Sequence, residues 1–452
     1  MEFDMVIRNG RVVLPGIGPQ EVDLAINGER IVAHLQRGTQ VEAQKSLDAE
    51  GKVIIPGAID AHTHLGFGDP ETDYRTETRA AALHGVTTLL NFLMSTESYD
   101  KEYEVNRNRA DAQAYVDYAL HAVASTSEQV REVDHYINDL GITSFKFFMS
   151  FRGEEGSYLG LSPIDDGFMY QLFSEMGQRK GTVVCVHTEN IEVAWKLRDD
   201  LQASGRDDLK AWNDARPNFI EAEAALRAMT FARQTDCSLY IVHASARETL
   251  DEVRRFRSRY DKIFVETCPH YLTHTYDSPV GTYGKQNPPL RSSEDLEALW
   301  EAIADGTVTT IGSDHAPRLK DRKEGTIWTA SPGQPNMPLI LPVLISEGVH
   351  RRGLSLERVV EVTAANPARV FGLWPQKGSL RPGADADLVF VDMDKEVTIR
   401  TGDLQSRADY SIYDGWKFTG WPVLTMLRGQ VVSQDGNVTG TEGYGKFIHR
   451  TV

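Results

Sequence analysis

The sequence predicts an α/β protein: a (β/α)8 barrel with β-rich segments at both chain ends. Two observations carry this expectation. Between about residues 55 and 374, eight short β-branched runs alternate with stretches of helical periodicity. Polar, chemistry-bearing residues then recur at or near the ends of five of those runs. In a barrel, all strand C-termini open at one mouth, where such groups collect.

The elements follow in chain order. Residues 5–8, 11–14 and 22–26 read as short strands. Asn9-Gly10 and Asn27-Gly28 sit at the ends of such runs, and Asn-Gly between strand-like runs predicts hairpins. The eight barrel runs are 53–59, 86–92, 117–124, 143–149, 182–187, 239–243, 262–267 and 308–312. Between them lie patterns such as 220–233, where Ala, Leu and Met recur at helical spacing. After Gly378 the strand texture returns at 386–392 and at 423–432 around Arg428-Gly429. The chain therefore divides into a barrel over 55–374 and a β-rich unit from 1–54 and 375–452. An open doubly wound sheet would want a Gly-rich phosphate turn after its first strand, and none is present.

The 452 residues are 41% hydrophobic and 25% charged, a globular composition that excludes disorder and collagen-like structure. Lys and Arg total 48 against 65 Asp and Glu, a net charge of −17 that argues against nucleic acid or an anionic membrane as partner. Three cysteines, Cys185, Cys237 and Cys268, give no disulfide framework and suit a reducing compartment. The first residues carry no signal-peptide pattern, and the apolar stretch 86–94 is too short to span a bilayer. The expectation is a cytoplasmic soluble protein.

The first run leads into Asp60-Ala61-His62-Thr63-His64. Lys146 sits inside the fourth, the fifth ends at His187, the sixth at His243, and the eighth leads to Asp314. Residues two apart in an extended segment face the same way, so His62 and His64 can grip one ion, and His187 and His243 a second. Imidazole and carboxylate together suit zinc and similar divalent ions. Lys146 stands among phenylalanines that disfavour its charged form, and a neutral amine can add carbon dioxide to give a carbamate with two oxygens for bridging metals. His34, His84, His121, His135, His274, His350 and His449 read as structural, as does His315. His270 reads as a packing residue. Arg216-Pro217 followed by Glu221 and Glu223 reads as a helix start with a structural ion pair, and Gly443-Tyr444-Gly445 as a loop.

The stretches 56–64, Gly85-Val86-Thr87-Thr88, Ser144-Phe145-Lys146, 186–190, Ile241-Val242-His243, 266–271, 287–291, 312–317 and Asn366-Pro367-Ala368-Arg369 together resemble the cyclic amidohydrolases: hydantoinases, dihydropyrimidinases, allantoinases and dihydroorotases. The resemblance runs from Met5-Val6-Ile7-Arg8-Asn9-Gly10 to Gly445-Lys446-Phe447. It implies a barrel flanked by a β-sandwich built from both termini. It implies two zinc ions bridged by carbamylated Lys146, with His62, His64 and Asp314 on one and His187 and His243 on the other. Asp314 would be the general base and then pass its proton to the leaving nitrogen. The reaction implied is hydrolytic opening of a cyclic amide, ureide or imide, and the assembly implied is a homotetramer.

Within the family, dihydroorotases carry an arginine where this chain has Gly66. Hydantoinases and dihydropyrimidinases carry an oxyanion-binding tyrosine where it has Phe151, which offers no hydroxyl. Ser150 and Tyr158 are the nearby hydroxyls. The family's substrate-holding serine is Asn287 here, and its Asn-Gly is Pro332-Gly333, so Phe151, Asn287 and Gly333 are the substrate-side candidates. Residues 75–82 resemble allantoinases, and Trp328, Ala330 and Gly333 resemble both allantoinases and L-selective hydantoinases, whereas 410–415 and 420–429 read as hydantoinase-like. The expected activity is hydantoinase- or dihydropyrimidinase-like, with allantoinase as the alternative. A non-catalytic dihydropyrimidinase-like scaffold is disfavoured because all six metal positions are present.

Overall fold

The computed structural model describes residues 2–152 and 164–452; Tyr158 lies outside them. Eight parallel strands form the barrel: β1 (Ala58–Thr63), β2 (Val86–Leu93), β3 (Asp117–Val123), β4 (Ser144–Phe148), β5 (Val183–His187), β6 (Leu239–Ile241), β7 (Ile263–Thr267) and β8 (Thr310–Ile311). Each hydrogen-bonds to the next in sequence. The ring closes just beyond β8, where Thr63 and His315 form a parallel bridge and His64 N–H donates to the His315 carbonyl at 2.8 Å. Nearly every strand residue is buried, which is why these segments read as continuous β-branched runs rather than alternating ones.

The helix predicted at 220–233 is Asn218–Thr235, burying Ile220, Ala224, Ala225, Ala228, Met229 and Ala232. Its buried positions recur at three- and four-residue spacing, and small alanines let it lie close to the sheet. Pro217 precedes its first turn and left-handed Asp236 ends it.

The first predicted run is two strands in two sheets. Val53–Pro56 pairs antiparallel with Leu388–Thr398 and parallel with Arg11–Leu14, and only β1 belongs to the barrel. The break falls at Gly57, where a Cβ would lie 2.1 Å from Thr87 Oγ1, so the chain crosses between sheets where only glycine fits.

Two further sheets hold the chain ends. One orders Arg30–Gln36, Val22–Asn27, Phe3–Arg8 and Ala43–Asp48; the other runs from Asn437–Val438 through Val53–Pro56 to Gly18–Gln20. Ile7, Leu24 and Ile26 from the first meet Val12, Ile54, Phe390 and Met426 from the second in one apolar core. The hairpin expected at Asn9-Gly10 is not formed. Phe3–Arg8 pairs with Val22–Asn27, while Arg11–Leu14 joins the other sheet, so Asn9, at φ +59°, turns the chain between sheets. Asn27-Gly28 and Arg428-Gly429 are hairpin turns.

The C-terminal segment runs under the barrel. Phe447 bridges to Tyr118, Ile448 N–H donates to the Tyr118 carbonyl at 2.7 Å, and Arg450 is 1% exposed. Its guanidinium donates to Ser144 Oγ at 2.8 Å and to the Leu120 carbonyl, and burial lowers it to about 9. Among the described residues, no helix is long and apolar enough to cross a membrane.

Candidate active site

The six predicted ligand residues come together at the barrel mouth. His62 is the fifth residue of β1 and His64 lies just past its end; Lys146 is central in β4 and His187 ends β5. His243 and Asp314 follow β6 and β8, both at positive φ, +39° and +51°. A strained backbone at a barrel mouth is where functional side chains are held. His62 Nε2 and His64 Nε2 are 3.2 Å apart, and Asp314 Oδ1 lies 3.2 and 3.1 Å from them. These three donor atoms fall within 4.8 Å of one another. Lys146 Nζ is 3.4 Å from His62 Nε2. The His243 ring stacks on His62 at 5.4 Å and meets His187 edge-on at 4.6 Å.

Burial sets the charges. It draws the Lys146 ammonium down to about 8, with Nζ 4.9 Å from the centres of the Phe92 and Phe148 rings. Burial, and next the Lys146 charge, hold His62 well below the ordinary imidazole range. Burial would raise Asp314, but His62, His64 and Lys146 together pull it well below the usual carboxylate range.

A second layer fixes the first. Glu266, the fourth residue of β7, accepts the His62 Nδ1–H at 2.6 Å, the His243 backbone N–H at 2.9 Å and the Tyr240 hydroxyl at 2.8 Å. Burial pushes its carboxyl up to about 7. Gly312 makes room for it, since a Cβ there would lie 2.3 Å from Glu266 Oε2. Glu189 holds His187 Nε2 at 2.6 Å and accepts from Arg216 at 3.0 Å. Burial raises Glu189, but Arg216 and His187 outweigh it and bring it to about 2. The Gln286 amide donates to Asp314 Oδ2. Sequence reasoning gave none of these three a role. Glu266 carried a signal nonetheless: a carboxylate inside Ile-Phe-Val-Glu-Thr, at the mouth end of a buried strand.

A cavity of about 330 Å3 opens beside these groups, lined by His64, Lys146, His187, His243 and Asp314 together with Phe151, Asn287 and Gly333. All three substrate-side candidates therefore face the site. Phe151 stacks on Phe148 at 4.0 Å. Asn287 Oδ1 and Gln286 Oε1 are buried without hydrogen-bond partners. The Gly333 carbonyl accepts from Lys323 and from the Tyr410 hydroxyl, each at 2.9 Å. The Ser150 hydroxyl is buried and unbonded, but Ser150 does not line the cavity.

The remaining histidines in the core are engaged elsewhere: His315 with Glu77 at 2.8 Å, His270 with Asn336 at 2.9 Å, His84 with the Ala80 carbonyl at 2.8 Å, His121 with the Ala61 carbonyl at 3.1 Å and His274 with the Ile412 carbonyl at 3.0 Å. Arg216 does not pair with Glu221. Its partner is Glu189, while Glu221 holds Arg291 at 3.0 Å and Glu223 holds Arg227.

Residues 166–432 match the amidohydrolase family. The chain is 34% identical to a D-hydantoinase of Ralstonia pickettii over 464 residues, 99% of each chain. It is 32% identical to an allantoinase of Salmonella choleraesuis, covering 96% of this chain and 95% of that one. Its fold matches that of the L-hydantoinase (dihydropyrimidinase) from Arthrobacter aurescens with a TM-score of 0.93 at 32% identity, over 99% of this chain and 100% of that one. Because these matches take in the β-rich ends as well as the barrel whose mouth gathers His62, His64, Lys146, His187, His243 and Asp314, the chain is an enzyme that belongs to the amidohydrolase family.

Proposed function

We propose that this enzyme hydrolyses the amide bond of a cyclic amide, ureide or imide, in the manner of hydantoinases and dihydropyrimidinases, as a binuclear metal-dependent hydrolase. The observation that carries the reading is the convergence of His62 Nε2, His64 Nε2 and Asp314 Oδ1 beside the buried Lys146 amine, on one cavity. His243 Nδ1 is buried and unbonded, and the nitrogen-and-oxygen donor set suits two zinc ions. His62, His64 and Asp314 would hold one ion and His187 and His243 the other. Lys146, whose ammonium burial weakens, would take up carbon dioxide and supply carbamate oxygens to both. When bound, such ions lower the pKa of a shared water and polarise a ring carbonyl.

The protein's own groups do the rest. Glu266 takes the Nδ1–H of His62 and so leaves the Nε2 lone pair directed at the site. Gln286 holds Oδ2 of Asp314, leaving Oδ1 to face the histidines. Asp314 accepts the proton of the attacking water and delivers it to the ring nitrogen as the C–N bond breaks. Phe148 and Phe151 form an apolar wall that keeps bulk water from the reacting carbonyl. Phe151, Asn287 and Gly333 contact the ring. Residues 55–374 would be the catalytic domain, with 1–54 and 375–452 the sandwich domain, in a cytoplasmic homotetramer. Allantoin is the alternative ring, supported by the likeness to an allantoinase along 96% of the chain.

The test offers dihydrouracil, hydantoin, a 5-substituted hydantoin, allantoin and succinimide separately to protein purified with zinc and bicarbonate. Turnover of one of them is expected and assigns the ring. Failure to open any of them, with two metal ions bound per chain, overturns the reading.

A further inference from the structure

Lys323 is fully buried, and its hydrogen-bond partners are three backbone carbonyls: Lys285 at 3.0 Å, Ser331 at 3.0 Å and Gly333 at 2.9 Å. Burial, and next the charges of Lys285 and Arg318, draw the group well below its ordinary value. Only the charged form, however, carries three N–H bonds for three acceptors. A buried ammonium costs least where every one of its donors is bonded in this way.

The three carbonyls belong to two walls of the cavity. Residues 285–287 line it on one stretch of chain and residues 328–333 on another. The walls also meet directly, since the Gly333 N–H donates at 3.3 Å to the Lys285 carbonyl that Lys323 holds. A further support arrives from outside the barrel. Between Leu388–Thr398 and Lys417–Leu427 the chain leaves its sheet and returns. On the way, the Tyr410 hydroxyl donates to the Gly333 carbonyl at 2.9 Å. Its neighbour Asp409 accepts the Lys320 N–H at 2.7 Å, at the head of the turn Lys320–Lys323 that presents Lys323.

We propose that Lys323 is a positioning residue of the substrate site. Its ammonium binds the 285–287 and 328–333 walls to each other, and Tyr410 locks the second wall from behind, so that Asn287 and Gly333 meet the ring at a fixed separation. This rests on the ring-opening reading and deepens it. Lys323 itself touches no substrate. It acts through backbone that lines the cavity, so its effect falls on how tightly the ring is held rather than on the chemistry at the metal ligands.

The test measures KM and kcat of the zinc-loaded enzyme on whichever of the five rings named above it opens fastest. Lys323→Ala removes the ammonium and the methylenes that carry it, and propylammonium added to the assay supplies the same atoms. In the variant KM should rise about tenfold or more, the cost of losing hydrogen bonds to a charged group, with kcat within about threefold. Propylammonium should bring KM back down, whereas tetramethylammonium, charged but without an N–H, should not. Tyr410→Phe removes the other donor to the Gly333 carbonyl and should raise KM about three- to tenfold; it decides the question if the lysine variant does not fold. A merely structural role would lower the fraction of active enzyme, and so kcat, at unchanged KM. A KM unmoved in both variants, or raised in Lys323→Ala with no recovery in propylammonium, overturns the inference while leaving ring opening intact. If the unaltered enzyme opens none of the rings with metal bound, the ring-opening reading fails and takes the inference with it.

Discussion

Glu266 Oε1 lies 2.6 Å from Nδ1 of His62, and both side chains are fully buried. The contact settles which nitrogen of His62 carries hydrogen and which is offered to the mouth. It also ties β7 to β1, and the same carboxylate ties β7 to β6 by taking the His243 backbone N–H and the Tyr240 hydroxyl.

Glu266→Gln replaces a group that accepts from three donors with one that must itself donate. Zinc affinity should fall about 10- to 100-fold, the usual cost of losing an outer partner of a metal-bound histidine. Competition with a chromogenic chelator measures it. Gly312→Ala should weaken zinc binding in the same way, since its Cβ would displace the Glu266 carboxylate. Unchanged affinity in both variants would show that the carboxylate does not position His62.

Lys146→Ala should abolish activity and reduce bound metal. A short carboxylic acid such as propionate, diffusing into the space left beside Phe92 and Phe148, should restore part of both. Full activity with unaltered metal content in the variant would rule out the carbamate.

Phe151→Tyr places a hydroxyl where the resemblance to hydantoinases implies one. If oxyanion stabilisation here is supplied by other groups, the change in kcat should stay below about tenfold. A gain of about 10²-fold, the size associated with one oxyanion donor, would show that Phe151 leaves a vacancy in the machinery.

Acid stability should be governed partly by two buried histidines outside the set of six ligand residues. Burial lowers His84 and His274 to about 4, outweighing the bond that each makes to a backbone carbonyl, which pulls the other way. Unfolded, each would titrate near 6.5. The unfolded chain therefore binds more protons between pH 6.5 and 4, and folding stability falls as pH drops through that window. The slope is at most about 1.4 kcal/mol per pH unit for each histidine. Denaturant unfolding at pH 7 and pH 5 measures it, and His84→Gln or His274→Gln should each lessen the loss. An identical loss in both variants would assign acid lability to other groups.

The barrel was legible because buried parallel strands leave apolar runs unbroken by alternation, and seven of its eight strands were visible as such, the first only in its opening residues 58–59. Where a strand changes sheets, that signal is silent. Residues 53–59 stay apolar across Gly57 although the pairing partners change completely, and Asn9-Gly10 has hairpin chemistry but sends its two strands to different sheets. The gathering of His62, His64, Lys146, His187, His243 and Asp314 could be read from strand ends. Glu189 and Gln286 could not, since each acts by a bond to another side chain and follows no spacing rule, and Glu266 showed its place at a strand end but not its partner His62. Arg216 shows the same limit, as its partner Glu189 lies 27 residues back whereas Glu221 was merely nearer in the chain.

The placement of Val53–Pro56 between Arg11–Leu14 and Leu388–Thr398 sets a clock on synthesis. The strand that completes this sheet leaves the ribosome more than 300 residues after the strand it covers. At ~5–20 residues per second this is roughly 17 to 66 s. For that interval the newborn chain presents an open strand edge and the bare flank of Ile54 to its surroundings. Substitutions at this junction should therefore act on the yield of folded protein, through aggregation of the waiting half, before they act on the finished enzyme.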